Sequence, residues 1–162
     1  MRPRWQPMGR SGSSALLVNT KEGFLLDDQL IQAYRATDYR VHATEPFALR
    51  IGRTCAACDA LLDTHGVTTA AYLTAWNPYS KAVSDAANAA AQAKLIEELN
   101  DVSTAVLSGE GSGETGNWPP EPSLFAMGIS REIATILAQK YQQNAFVWIE
   151  RGKAAELVLC QQ

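Results

Sequence analysis

Apolar positions along the chain change period several times, and each change marks a predicted element. Asp27 or Asp28 can cap a short helix whose stripe carries Leu30, Ile31 and Tyr34. Tyr39–Ala43 and Phe47–Gly52 read as strands around a Glu45-Pro46 turn, with Phe47, Leu49 and Ile51 alternating against Ala48 and Arg50. Thr54–His65 reads as a helix stopped by Gly66. Thr68–Trp76 is apolar on both faces, which suits a central strand. Ser84 caps an alanine-rich helix that runs to Leu99, and Ser103–Leu107 is a further strand. A glycine- and proline-rich loop is expected over 108–122. Beyond it come a strand at Ser123–Gly128, a helix capped by Ser130, and strands Ala145–Ile149 and Glu156–Cys160 joined by a hairpin turn.

Seven strands and four helices in mixed order predict an α/β (α+β) fold. Its core is a single mixed β-sheet of about six to seven strands, with a hairpin at each end of the chain. The 162 residues suit one domain over 15–162, preceded by a disordered basic leader at 1–14. A hydrophobic share of 46% with 19% charged residues excludes disorder for the whole. No apolar run approaches the ~18 residues of a membrane helix, and Ala15–Val18 is too short for a targeting core. A cytoplasmic location without membrane contact is therefore the expectation.

Charge is unevenly placed. The first 21 residues carry Arg2, Arg4, Arg10 and Lys21 and no acid; the net charge of −3 therefore leaves −7 on the remainder. A body of that sign is unsuited to phosphate-backbone binding, so a nucleic-acid partner is not expected. Cys55 and Cys58 form a CxxC at a strand-to-helix junction, where a redox pair could sit. Two alanines between them, no preceding aromatic and no opposing proline favour two small residues sharing a helix face. Neither His42 nor His65 stands at a ligand spacing, so no metal and no cofactor are expected. His65, before Gly66, suits a helix C-terminus, and Cys160 reads as a small apolar residue in the last strand. No GxSxG, HExxH, P-loop or dinucleotide fingerprint occurs.

Candidate chemistry arises where polar residues occupy positions the pattern would make apolar. Trp76, Asn77 and Ser80 lie at the carboxyl end of the central strand, and Asn77 precedes a proline. Asn88 and Gln92 fall in line with the core stripe of the following helix, so if buried they need hydrogen-bond partners. The glycine-rich loop resembles a phosphate cradle only superficially, since Glu110 and Glu114 repel anions and a strand follows. It reads instead as a lid anchored by Trp118 or as an ordinary surface loop. If the strands at Ser123 and Ala145 run antiparallel to Thr68–Trp76, then Glu121, Ser123, Gln143 and Asn144 gather with Asn77 on one rim. Such a cleft suits a small polar ligand. Glu121 is the acid available as general base, and Arg50 the strand cation available to an anion.

Three motifs in order, Trp76-Asn77-Pro78-Tyr79-Ser80, Trp118-Pro119-Pro120-Glu121-Pro122-Ser123 and Gln143-Asn144-Ala145-Phe146-Val147-Trp148, resemble a bacterial family, the domain of unknown function numbered three-two-nine-three. The resemblance spans roughly residues 30 to 160 and includes the Phe47–Gly52 strand. It implies a cytoplasmic bacterial protein and brings no activity, cofactor or catalytic residue. The leading expectation is thus a binding or regulatory module for a small hydrogen-bonding, nucleotide-like ligand. The alternatives are a hydrolase or transferase using Glu121, and an adaptor that binds a protein partner and no small molecule.

Overall fold

Inward and outward positions alternate so regularly along the strands that they sort into two separate cores, one on each face of a single sheet. The computed structural model describes residues 19–20, 23–24, 28–113 and 119–160. The expected leader at 1–14 lies outside them. A small ribbon pairs β1 (Asn19–Thr20) with β2 (Gly23–Phe24) and precedes α1 (Asp28–Arg35). The main sheet contains β3 (Asp38–Val41), β4 (Phe47–Leu49), β5 (Thr69–Leu73), β6 (Ala105–Ser112), β7 (Glu121–Met127), β8 (Ala145–Glu150) and β9 (Glu156–Leu159). Interspersed are α2 (Ala56–Thr64), α3 (Asp85–Val102) and α4 (Arg131–Lys140). Four helices and one seven-stranded sheet make the expected α+β fold, with hairpins β3–β4 and β8–β9 towards its two ends.

The strand order is β4-β3-β6-β7-β5-β8-β9. All its ladders are antiparallel, which corrects the expected mixture of directions. The reason lies in how two crossovers interleave. The connection through α3 returns β6 in the direction of β5, but β7 inserts between them; the connection through α4 returns β8 in the direction of β7, but β5 inserts between those. Among the described residues, parallel pairing is confined to an isolated bridge between Ile51 and Ala155, where Gly52 N donates to Ala155 O at 2.8 Å and Ala155 N to Arg53 O at 3.0 Å. That bridge joins the ends of the two edge strands, so the sheet curls until its borders touch.

The curl gives a concave and a convex face. On the convex face Leu73, Leu124, Ala126, Phe146 and Trp148 pack with Leu95 and Leu99 of α3 and with Ala134, Leu137 and Ala138 of α4. On the concave face Val41, Leu49, Tyr72, Phe125, Met127, Val147 and Ile149 pack with Cys58 and Leu62 of α2. Serines cap both long helices as expected: Ser84 accepts from Ala87 N and Ser130 from Ile133 N, each at 3.1 Å. Cys55 does the same for α2, accepting from Cys58 N at 3.3 Å. At the other end of α2 His65 occupies the C-cap, with Nδ1 3.1 Å from Leu61 O, and Gly66 takes φ +69.

The expected loop over 108–122 is shorter than its composition suggests. Strand β6 continues through Gly109 and Gly111 to Ser112, and β7 resumes at Glu121. Glycine stands at 109 because of a close approach: a Cβ there would lie 2.2 Å from Arg40 O of β3 and 3.1 Å from the Tyr72 hydroxyl. The composition that reads as a loop is thus the composition of a strand crowded from one side.

Candidate functional site

The antiparallel pairing of β5 with both β7 and β8 places the start of each neighbour beside the end of β5. At that end of the concave face, away from α2, lies a half-enclosed cavity; the space it opens onto, counted out into solvent, is about 580 Å³. Tyr34 of α1, Tyr39 of β3, Tyr72 of β5 and Trp76 give it aromatic walls. Thr74, Ser80 and Ser123 add hydroxyls, Asn77 and Gln143 add amides, and Glu121 is the one acidic side chain among the described residues of the lining. Glu121 is only 7% exposed.

The Trp76–Ser80 segment forms one wall, and its backbone is unusual. Asn77, Tyr79 and Ser80 all have positive φ, at 49, 54 and 61°, and none is glycine. Such conformations are costly and persist only where surroundings hold them. Here the surroundings are explicit. Asn88 Oδ1 accepts from Asn77 N at 2.8 Å, while Asn88 Nδ2 donates to Asn77 Oδ1 at 2.9 Å. Val83 N donates to the same Oδ1 at 3.3 Å, and Asn77 Nδ2 donates to Glu121 Oε2 at 3.1 Å. Tyr79 N donates to Gln142 O at 2.7 Å, Gln143 Nε2 to Trp76 O at 3.3 Å and Asn144 Nδ2 to Ser80 Oγ at 3.2 Å. One residue earlier, Gln92 Oε1 accepts from Ala75 N at 2.8 Å and its Nε2 donates to Pro122 O at 3.0 Å.

The sequence candidates therefore divide. Trp76, Asn77, Ser80, Glu121, Ser123 and Gln143 line the cavity. Asn144 stands behind the wall and holds Ser80. Asn88 and Gln92 are buried as their alignment with the core stripe requires, but they are absent from the lining. Their amides bond backbone groups of the wall and the Asn77 side chain. Trp118 lies outside the described residues. Arg50 is engaged elsewhere, 3.0 Å from both Ala36 O and Asp38 Oδ1. His42 sits exposed with Nδ1 3.1 Å from Ser108 Oγ.

Sequence reasoning missed the three tyrosines. Inward-facing strand positions and an apolar helix stripe look like core, and the hint was only that tyrosine brings a hydroxyl needing a partner when buried. The partners are backbone carbonyls: Tyr39 Oη donates to Tyr34 O at 2.8 Å and Tyr72 Oη to Arg40 O at 2.9 Å. The Tyr39 and Tyr72 rings meet edge to face, with centroids 5.3 Å apart. Burial raises all three phenols well above their ordinary range. For Tyr34 the hydrogen bonds with Ser80 and Asn144 oppose that rise, while the charge of Glu121 reinforces it. All three side chains thus enter the pocket as neutral phenols at physiological pH.

Cys55 and Cys58 lie apart from this cavity, at the cap and in the first turn of α2. Burial pushes the Cys58 thiol up to about 12, with the neighbouring Cys55 and Asp59 adding to the rise. Among the described residues, no helix is long and apolar enough to cross a membrane. No curated protein and no solved structure matches the chain. Over residues 73–146, from the end of β5 to the start of β8, the chain matches the model of the family described as Protein of unknown function (DUF3293), the family its motifs resemble.

Proposed function

We propose that the protein is a binding module that holds a small hydrogen-bonding ligand in the tyrosine-lined cavity. The observation that carries this reading is a buried carboxyl group, two amides and the aromatic side chains of Tyr34, Tyr39, Tyr72 and Trp76 lining one half-enclosed space whose wall is held in a strained conformation. A rigid wall lowers the ordering penalty of binding, because the polar groups are already in place. A nucleotide-like ligand would enter through its base or sugar. Among the described residues, the lining offers no lysine, arginine or histidine to a phosphate.

Hydrolysis or group transfer by Glu121 is the weaker reading. A general base needs a nucleophile within hydrogen-bond reach. Ser123, two residues away on the same face, donates its hydroxyl hydrogen at 3.1 Å to the Glu121 carbonyl oxygen. The hydrogen bonds of Ser123 run to that backbone oxygen and to the Tyr72 phenol, and none among the described residues runs to the carboxylate. The test is thermal unfolding against nucleosides, nucleotides, sugars, amino acids and small amines. Ligand at a hundred times its dissociation constant stabilises by about 2.7 kcal/mol. A dose-dependent rise for one class that Ser123→Tyr abolishes by filling the cavity supports the reading, provided the variant keeps the wild-type circular dichroism. No shift with any class rejects it.

A further inference from the structure

Most polar groups of the cavity are engaged before any ligand arrives. Hydroxyl hydrogens of Tyr39, Tyr72, Thr74 and Ser123 run to backbone carbonyls. The Tyr34 phenol meets Ser80 and Asn144, and Ser80 Oγ accepts from Asn144 Nδ2 at 3.2 Å. Asn77 uses both ends of its amide, with Glu121 Oε2 among its partners. The Trp76 indole nitrogen is buried away from the open space. Gln143 differs. It lines the cavity at 8% exposure, and its Nε2 reaches Trp76 O and Tyr141 O, each at 3.3 Å. Carbonyls only accept, so these two contacts fix which end of the amide is nitrogen. That leaves Oε1 as an acceptor with no donor among the described residues.

We infer that the cavity takes an uncharged, flat aromatic molecule that donates an N–H or O–H to Gln143 Oε1. The inference rests on the binding reading above and names its chemical class, to which a nucleobase belongs and a sugar or phosphate does not. The sheet register supplies the surface for the ring. Tyr72 pairs with Val147 and Val147 with Leu157, which makes one row of inward side chains across β5, β8 and β9. The Tyr39 and Tyr72 rings stand edge to face, and their hydroxyl bonds to backbone keep them from rotating away. Aromatic walls of this kind favour stacked or edge-on contact with another ring. A polyol buried here would strand hydroxyls that water satisfies, because the neighbouring groups already have partners. An anion would lose its water in a space that Glu121 also lines, with no lysine, arginine or histidine among the described residues of the lining. A flat ring with one donor meets neither cost.

The experiment is calorimetric titration of the full chain with matched pairs of rings that differ in the donor and little in shape. Indole is paired with benzofuran, benzamide with acetophenone, and phenol with fluorobenzene. At least one donor-bearing ring is expected to bind about five-fold or more tightly than its partner, the usual worth of one neutral hydrogen bond. Gln143→Met, which keeps the length of the side chain and removes the amide, is expected to bring that pair within about two-fold and to leave the donor-free ring unchanged. Equal binding within each pair overturns the inference, as does a donor preference that survives Gln143→Met in a variant with wild-type circular dichroism. No binding by any of the rings, while another class in the thermal panel shifts the midpoint, overturns the inference and leaves the binding reading standing. No binding by the rings together with a flat thermal panel defeats both. The comparison within pairs is made on the wild-type protein, so it decides the matter even if the variant unfolds.

Discussion

Asn88→Ala probes the support of the cavity wall most sharply. Asn88 is fully buried on α3 and meets Asn77 twice, through the backbone N–H and through the side-chain oxygen. Truncation leaves the Asn77 N–H buried without its acceptor, which costs about 1–3 kcal/mol. The Asn77 side-chain oxygen keeps Val83 N, so its loss is partial. The small void adds to the loss, while relief of the strain at φ 49° offsets part of it. Alanine returns at most ~0.7 kcal/mol through its higher helix propensity. The net expectation is roughly 2–3 kcal/mol, on the order of 5–10 °C in Tm for a chain of this length. Urea unfolding followed by circular dichroism measures it, with Asn100→Ala as control. Asn100 lies on the same helix but faces solvent, so its replacement should change stability by less than about 0.5 kcal/mol. Equal effects for the two variants would refute the claim that Asn88 holds the wall.

Three further outcomes are expected. Gly109→Ala forces a Cβ against Arg40 O, so β3 and β6 must separate and the Tyr72–Arg40 bond must strain; a loss of about 1–3 kcal/mol in urea unfolding is expected, and wild-type stability would contradict it. The buried Cys58 thiol, pushed up to about 12, and the Cys160 thiol, pushed up to about 11, stay protonated in the fold while they ionise near 9 in the unfolded chain. The stability they contribute is therefore complete below pH 9 and declines as pH rises towards 11 and 12; an unchanged urea midpoint between pH 8 and pH 10.5 would count against this. Glu156→Ala removes the two-pronged contact with Arg131, at 3.1 and 2.8 Å, but both side chains are exposed. Its effect should stay below about 1 kcal/mol and fade in 0.5 M salt, and a larger, salt-insensitive loss would show that the pair is shielded.

Much of the site is legible in the sequence because strand direction and residue type suffice to gather it. Asn77, Glu121, Ser123 and Gln143 meet as soon as β7 and β8 run against β5, and each is a polar residue at the end of an apolar strand. Burial of Asn88 and Gln92 follows from their alignment with Leu95 and Leu99, but the choice of partner does not. That choice depends on a strained turn whose geometry is set by groups as distant as Gln142 and Glu121. The tyrosines were hidden for a related reason. At inward strand positions their rings serve the core, and only the curl of the sheet brings Tyr39 and Tyr72 to the same cavity as Tyr34. Gly109 and Gly111 misdirect local reading because the crowding that demands Gly109 comes from Arg40, far earlier in the chain. Insertion of β7 between β5 and β6 is likewise a property of the whole sheet, invisible to any window along the sequence.

The central claim is that the tyrosine-lined cavity receives a small molecule. Two-dimensional nitrogen–proton NMR of the labelled full chain, titrated with benzamidine and separately with benzamide, tests it most directly. The account predicts saturable shifts at Asn77, Ser123, the Gln143 amide and the Trp76 indole with at least one of the two, and none at exposed Ile136 on α4. Spectra unchanged by both compounds, or shifts confined to residues away from the cavity, would contradict it.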